Sequence, residues 1–145
     1  MRGVLFDQPH VVAASATVLT AAGVADRCDV ISGDFFTDVP TGGDTYVLSG
    51  VLCDWDDAEA TEILRNCRHA MGAKARLVLV EALVKEGNEP SPTKNVDIQL
   101  MLTNAGGRIR SEPEWRSLLD SAGFNPPIIV TTEGISDVLR AEPAS

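Results

Sequence analysis

Val51-Leu52-Cys53-Asp54-Trp55-Asp56-Asp57 gathers a thiol, carboxylates and an indole into one short stretch of chain. Such a group could recognise a ligand through the carboxylate and ring, or carry chemistry on the thiol. The stretch follows Thr45-Tyr46-Val47-Leu48-Ser49, which reads as a buried strand, and leads into an amphipathic helix running from about Asp56 to Met71. In an open α/β sheet the carboxyl ends of the strands are where ligands bind. The same residues also suit a plain helix start, with Asp56 and Asp57 at the positive end of the helix dipole. Local sequence leaves both readings open.

Asp7, Asp34 and Glu81 are further acids at or just after strand ends. Asp7 closes the apolar Gly3-Val4-Leu5-Phe6 run immediately before a helix. An acid there accepts hydrogen bonds from ribose hydroxyls in nucleotide-binding α/β folds, or simply caps the helix. Asp34 precedes Phe35, an acceptor beside an apolar face that suits an adenine ring; an ordinary polar turn next to a core aromatic is the competing reading.

The elements that must position these residues follow from pattern. Pro9 suits the first turn of a helix reaching about Ala22, with Gly23 as its stop. Cys28 to Ser32 reads as a second strand. Pro40, Gly42 and Gly43 mark a turn before the Thr45 strand. Ile63, Leu64, Cys67 and Met71 form the apolar stripe of the next helix. Ala75 to Ala82 is a nearly continuous apolar strand, a pattern that predicts cover on both faces. A polar loop from Lys85 to Thr93 precedes a helix from about Asn95 to Thr103. Ser111 and Glu114 form a capping box for a helix burying Trp115, Leu118, Leu119 and Ala122 and stopping at Gly123. Pro127–Thr131 and Ile135–Leu139 read as an antiparallel pair at a sheet edge. Alternating strands and helices predict a three-layer α/β fold with a mostly parallel sheet and an antiparallel edge.

The 145 residues fit one domain with an ordinary core. A net charge of −9 repels a nucleic acid unless a basic patch overrides it. Arg65, Arg68, Lys74 and Arg76 come closest to one, and two of them are expected at the C-terminal end of their own helix. No apolar run approaches a membrane span and no charged-then-apolar leader opens the sequence, so no membrane partner and a cytoplasmic location are expected. The three cysteines have no CxxC spacing. Cys28 and Cys67 read as small buried hydrophobes. His10 and His69 are far apart, and no metal site is suggested.

In order along the chain, Leu-Phe-Asp-Gln-Pro-His-Val, Gly-Asp-Phe-Phe, Val-Leu-Cys-Asp-Trp-Asp-Asp, Ile-Leu-Arg-Asn-Cys and Leu-Val-Leu-Val-Glu resemble one family. It is the catalytic domain of the S-adenosylmethionine-dependent small-molecule O-methyltransferases, including plant phenolic and bacterial secondary-metabolite enzymes. The resemblance continues through Asp97-Ile-Gln-Leu-Met-Leu, Gly106-Gly107-Arg and Ser111-Glu-Pro-Glu-Trp. It implies a Rossmann-like fold, S-adenosylmethionine as methyl donor, S-adenosylhomocysteine as product and a small aromatic hydroxyl as acceptor. Residue by residue, it implies that Asp7 holds the ribose hydroxyls and that Asp34 and Phe35 read and pack the adenine. Ser49 stands where many members carry a cofactor-fixing lysine. Cys53 stands where the family's histidine base precedes Asp-Trp, Glu81 matches the acid supporting that base, and Ile109 replaces a second acid of plant members. Asp54, Trp55, Met101 and Asn104 fall at the acceptor pocket.

Two departures qualify the expectation. A thiol with an ordinary pKa near about 8.5 is a poor base at neutral pH, and the Glu81 and Asp54 anions would push it higher. A small pocket-lining role for Cys53 is the stronger reading, with methyl transfer to an acidic phenol resting on proximity. The family also has a strand and glycine-rich loop before the Asp7 strand, with a dimerisation and substrate-capping domain further upstream; none of these is in this sequence. That strand normally lies between the Asp7 and Thr45 strands, so two unpaired apolar edges are expected. Residues 1–145 are accordingly expected to form a partial catalytic domain, as a homo-oligomer or completed by another chain. A non-catalytic methyltransferase-like fragment, acting only in binding or association, is the alternative. A nicotinamide dehydrogenase is disfavoured because no G-x-G-x-x-G is present.

Overall fold

The computed structural model describes residues 1–85, 87, 89–104 and 106–145. The chain runs β1 (Gly3–Asp7), α1 (Pro9–Val12), α2 (Ser15–Ala21), β2 (Cys28–Ser32), β3 (Thr45–Ser49), α3 (Asp57–Ala70), β4 (Arg76–Ala82), α4 (Pro92–Thr103), α5 (Glu112–Ser121), β5 (Ile128–Val130) and β6 (Ser136–Ala141), with short 3₁₀ turns at Ala25–Arg27 and Leu52–Asp54. Glu86 and Asn88 of the predicted polar loop, and Ala105, lie outside the described residues.

The strands form two separate sheets. β1 and β2 pair in parallel, Gly3 opposite Cys28 through Asp7 opposite Ser32. The other sheet has the order β3-β4-β6-β5. β3 and β4 are parallel, while β6 is antiparallel to both neighbours. The expected antiparallel edge is present, with β6 joining β5 to the parallel pair. The break falls between β1 and β3, the expected place of a further strand. Apolar side chains of the two strands beside it stay exposed, Val47 of β3 at 60% and Val4 of β1 at 55%, as does Val30 of β2 at 43%.

α3 and α5 cover one face of the four-stranded sheet. Ile63, Leu64 and Ala60 of α3 and Trp115, Leu118 and Leu119 of α5 pack on Leu77 and Leu79 of β4 and Leu139 and Ala141 of β6. Removing this apolar surface from water supplies the main stabilisation. Val78 and Val80, on the opposite face of β4, are only half-buried. The continuous apolar run predicts cover on both faces, but α3 and α5 both lie on the Leu77–Leu79 side.

The predicted single helix from Pro9 to Ala22 is two. The Ser15 hydroxyl donates to the Val12 carbonyl at 2.7 Å, a side-chain bond that competes with the helical ladder. Neither piece buries a residue fully, so packing does not enforce continuity. α4 begins at Pro92, upstream of the predicted Asn95, because proline at the first helical position has its φ pre-set for the helix and no N–H to leave unpaired. Gly23 and Gly123, the predicted stops, hold positive φ. Cys67 is buried as expected, whereas Cys28 is only half-buried. Arg68 stands in the last turn of α3 as expected of a residue at the end of its own helix, whereas Arg65 lies a turn earlier; the hydrogen bonds of both reach other segments. Arg65 donates to the Ser121 carbonyl at 3.1 Å, and Arg68 to the Gly123 and Ala144 carbonyls at 3.1 and 3.0 Å, tying α3 to the end of α5 and the chain beyond it. Among the described residues no helix is long and apolar enough to cross a membrane.

Candidate active site

β3 ends at Ser49, and Gly50 turns the chain at φ +60 while donating to the Val80 carbonyl at 3.0 Å. Leu52 is wholly buried in the core, which anchors the 3₁₀ turn and leaves Cys53 half-buried and Asp54 exposed. Asp56 is the N-cap of α3. Its Oδ1 accepts the Glu59 N–H at 2.9 Å, and the Glu59 carboxylate accepts the Asp56 N–H at 3.3 Å. The helix-start reading is therefore right for Asp56. Cys53, Asp54 and Trp55 stand just before the helix, at the carboxyl edge of β3.

Buried polar groups hold this turn from two sides. Glu81, at the end of β4 and 1% exposed, accepts the N–H groups of Val51 and Leu52 at 3.2 and 3.0 Å. Arg110, fully buried, donates to the carbonyls of Leu52 and Trp55 at 2.7 and 2.8 Å and to the Asp57 carboxylate at 2.8 Å. The segment after α4 lies directly on the turn. The Arg108 N–H donates to the Cys53 carbonyl at 2.8 Å, and the Asn104 amide donates to the Asp54 carboxylate. A Cβ on Gly107 would lie 2.8 Å from the Asn104 Cβ and 3.0 Å from the Cys53 carbonyl oxygen, so only glycine permits this approach.

The electrostatics run against a thiolate. Cys53 is pushed up to about 12, first by burial, then by the Glu81 and Asp54 charges. Burial likewise raises the Glu81 carboxyl above its ordinary value, opposed by hydrogen bonds from Leu52, Val51 and Cys53 and by the Arg110 charge. At neutral pH a thiol so shifted carries its proton.

Asp7 and Ser49 end β1 and β3, strands on either side of the break. One Asp7 oxygen accepts the Gln8 N–H at 2.7 Å. Asp34 Oδ1 accepts the Phe36 N–H at 2.9 Å, making the polar turn that was the competing reading, with the exposed carboxylate beside the half-buried Phe35. Phe35 joins the Cys53 group through Trp55: the rings of Phe35 and Phe36 stand edge-on to Trp55 at 6.0 and 4.8 Å. Asn66 of α3 fixes that turn by donating to the Phe35 and Phe36 carbonyls at 2.9 and 3.0 Å. Cys53, Asp54, Trp55, Glu81 and Asn104 thus form one constellation. Met101 lies exposed on α4 and no described hydrogen bond ties it to that group. Ile109 is buried, its N–H donating to Asp97 at 2.7 Å. Crevices of about 450 and 470 Å³ lie beside Leu83 and Asp137, away from Cys53.

Arg110 and Asn66 carry much of this geometry without standing out in the sequence. The buried carbonyls of the 3₁₀ turn need donors, but no local sequence signal says that Arg110, more than fifty residues on, supplies them.

The sequence pattern of the O-methyltransferase domain family matches residues 1–125. The chain belongs to this family. This O-methyltransferase domain is 44% identical to the phenazine O-methyltransferase PhzM of Lysobacter antibioticus over 142 residues, 98% of this chain and 41% of that protein. The crystal structure of LaPhzM superposes with a TM-score of 0.92 at 44% identity, covering 98% of this chain and 42% of that one. The neocarzinostatin-biosynthesis O-methyltransferase NcsB1, solved with S-adenosylmethionine and 2-hydroxy-5-methyl naphthoic acid, superposes with a TM-score of 0.85 at 30% identity, covering 99% and 42%. The domain therefore spans about two-fifths of the length of the relatives it matches. Its α/β architecture with a mixed sheet is the Rossmann-like one of these methyltransferases.

Proposed function

We propose that residues 1–145 form part of the catalytic domain of an S-adenosylmethionine-dependent O-methyltransferase acting on a hydroxyl of a small aromatic metabolite. The observation that carries this is the Cys53-Asp54-Trp55 turn, held at the carboxyl edge of β3 by Glu81 and joined by its indole to the Asp34-Phe35 turn. Half-buried Asp7 supplies an acceptor for hydroxyls, and Asp34 beside Phe35 supplies an acceptor and a flat apolar face. This set of acceptors beside an aromatic face fits a nucleoside. Asp7 takes the ribose, Asp34 and Phe35 take the adenine, and Ser49 borders the cofactor. Asp54, Trp55, Met101 and Asn104 border the acceptor.

A bound S-adenosylmethionine would supply an electrophilic methyl group to the acceptor oxygen, the methyl–sulfur bond breaking to give S-adenosylhomocysteine. The chain's own part is placement. Cys53 keeps its proton and lines the site instead of acting as base, so an acidic phenol would give its proton to solvent water and attack as the phenolate. Glu81 keeps the turn in register through its two N–H bonds. Orientation of this kind is worth several powers of ten in rate.

Apolar residues flank the break between β1 and β3, which supports completion of the sheet by a strand from the region upstream or from a second polypeptide. We place the chain in the cytoplasm, within a homo-oligomer or such a completed assembly. A second reading, a domain that binds without catalysis, is favoured by the protonated thiol at the base position.

Calorimetry with S-adenosylhomocysteine tests the first reading. We expect no heat with the 145 residues alone, and binding once the chain is extended by the upstream region of the Lysobacter relative. An extended form that also fails to bind removes the basis for methyl transfer.

A further inference from the structure

We propose that Arg110 is a positioning residue for the acceptor edge, holding the Leu52–Trp55 turn in the conformation that presents Cys53 and Asp54. The inference rests on the reading of that turn as the acceptor edge.

Arg110 is wholly buried, yet it lies outside every helix and strand. Its backbone is fixed to the chain leaving β4: the Val84 N–H donates to the Arg110 carbonyl at 3.2 Å, and Leu83 bridges it in parallel. From that base its guanidinium passes the face of Trp115, 5.4 Å from the ring centre, and ends on the turn. Nη1 takes the Leu52 carbonyl and Nη2 the Trp55 carbonyl, the residues on either side of Cys53-Asp54, while Nε takes Asp57. Glu81 grips the N–H groups entering the same turn. The turn is therefore held by an acceptor where it begins and by a forked donor across it. The planar fork matters, since a single ammonium cannot meet three acceptors in three directions. Buried carbonyls left without donors would reorganise toward water, and Cys53 and Asp54 would move with them.

The Cys53 thiol reports on this, because its burial in the turn raises it first and the charges that add to the shift meet there: Glu81 from β4, Asp54 beside it, and Arg110 acting on Glu81. Iodoacetamide labelling of the full chain without any ligand, read peptide by peptide across pH, is the test. In the parent, Cys53 labels slowly until strongly alkaline pH, while half-buried Cys28 on β2 is the control for a thiol away from the turn and buried Cys67 the control for folding. Arg110→Met is expected to raise Cys53 labelling at least ~10-fold near pH 8.5 and to move its profile toward neutrality, with Cys28 unchanged and Cys67 protected. An unchanged Cys53 profile with Cys67 protected overturns the proposal. Should Arg110→Met expose Cys67, Arg110→Lys decides: a rise confined to Cys53 supports positioning, and a rise at all three cysteines overturns it. Labelling needs no cofactor. Failure of the extended chain to bind S-adenosylhomocysteine would thus count against the methyltransferase reading and leave this result standing.

Discussion

Cys53 keeps its proton because burial and two neighbouring carboxylates all disfavour the thiolate. If it only lines the site, Cys53→Ala in the N-terminally extended chain changes turnover less than ~10-fold; a loss beyond ~10²-fold would make the thiol a participant. The same shift has a stability consequence. Cys53 is raised from 9.0 to about 12 and Cys67 to about 11. Thiols raised in the fold contribute stability in full below pH 9.0 and lose it as pH climbs through 11 to 12. Urea midpoints should fall from about pH 9 upward, and Cys53→Ala should flatten that fall. Glu81 obeys the same sign in acid: raised in the fold, it favours the folded state below 4.5 and loses that contribution as pH rises. The stability of the parent relative to Glu81→Gln should therefore decline on going from about pH 4 to 7, measured by urea unfolding.

At the scale of elements, Asn104 and the Gly106–Arg110 segment pack with the Cys53–Asp57 turn as one unit. Gly107→Ala would press a methyl onto the Cys53 carbonyl, at a cost of about 1–3 kcal/mol visible as a lowered urea midpoint. The start of α5 is a second unit. Ser111 N–H and Oγ both donate to the Glu114 carboxylate, at 2.7 and 2.8 Å. That backbone bond, with help from the hydroxyl and Arg108, holds Glu114 below the usual carboxylate range. A lowered carboxylate stabilises above 4.5 and fades as pH falls below it. Glu114→Gln should accordingly lower the melting temperature near pH 6 and change it little near pH 3.

Across the whole molecule, the break between β1 and β3 is the main departure from an ordinary α/β core. Unpaired strand edges flanked by valines invite association. Val47→Lys combined with Val4→Lys should reduce concentration-dependent self-association in sedimentation velocity. Because both positions are more than half exposed, each change should cost no more than about 0.5 kcal/mol in stability. Unchanged association would direct attention to other exposed apolar residues, such as Leu102 on α4.

The sequence by itself determined the strands, the α3 stripe, the Ser111–Glu114 cap and the helix stops, because each depends on residues within a turn or two of one another. It also held the ordered motifs that place the chain in its family, and the thiol at the base position. Only the tertiary structure shows what these acids touch. Asp56 caps α3, Asp34 stabilises its own turn, and Glu81 holds the backbone of a loop about thirty residues away in sequence. Arg110 was illegible for the same reason. Its three acceptors lie more than fifty residues upstream, and neither period nor composition records which distant carbonyls a folded chain leaves in need of a donor.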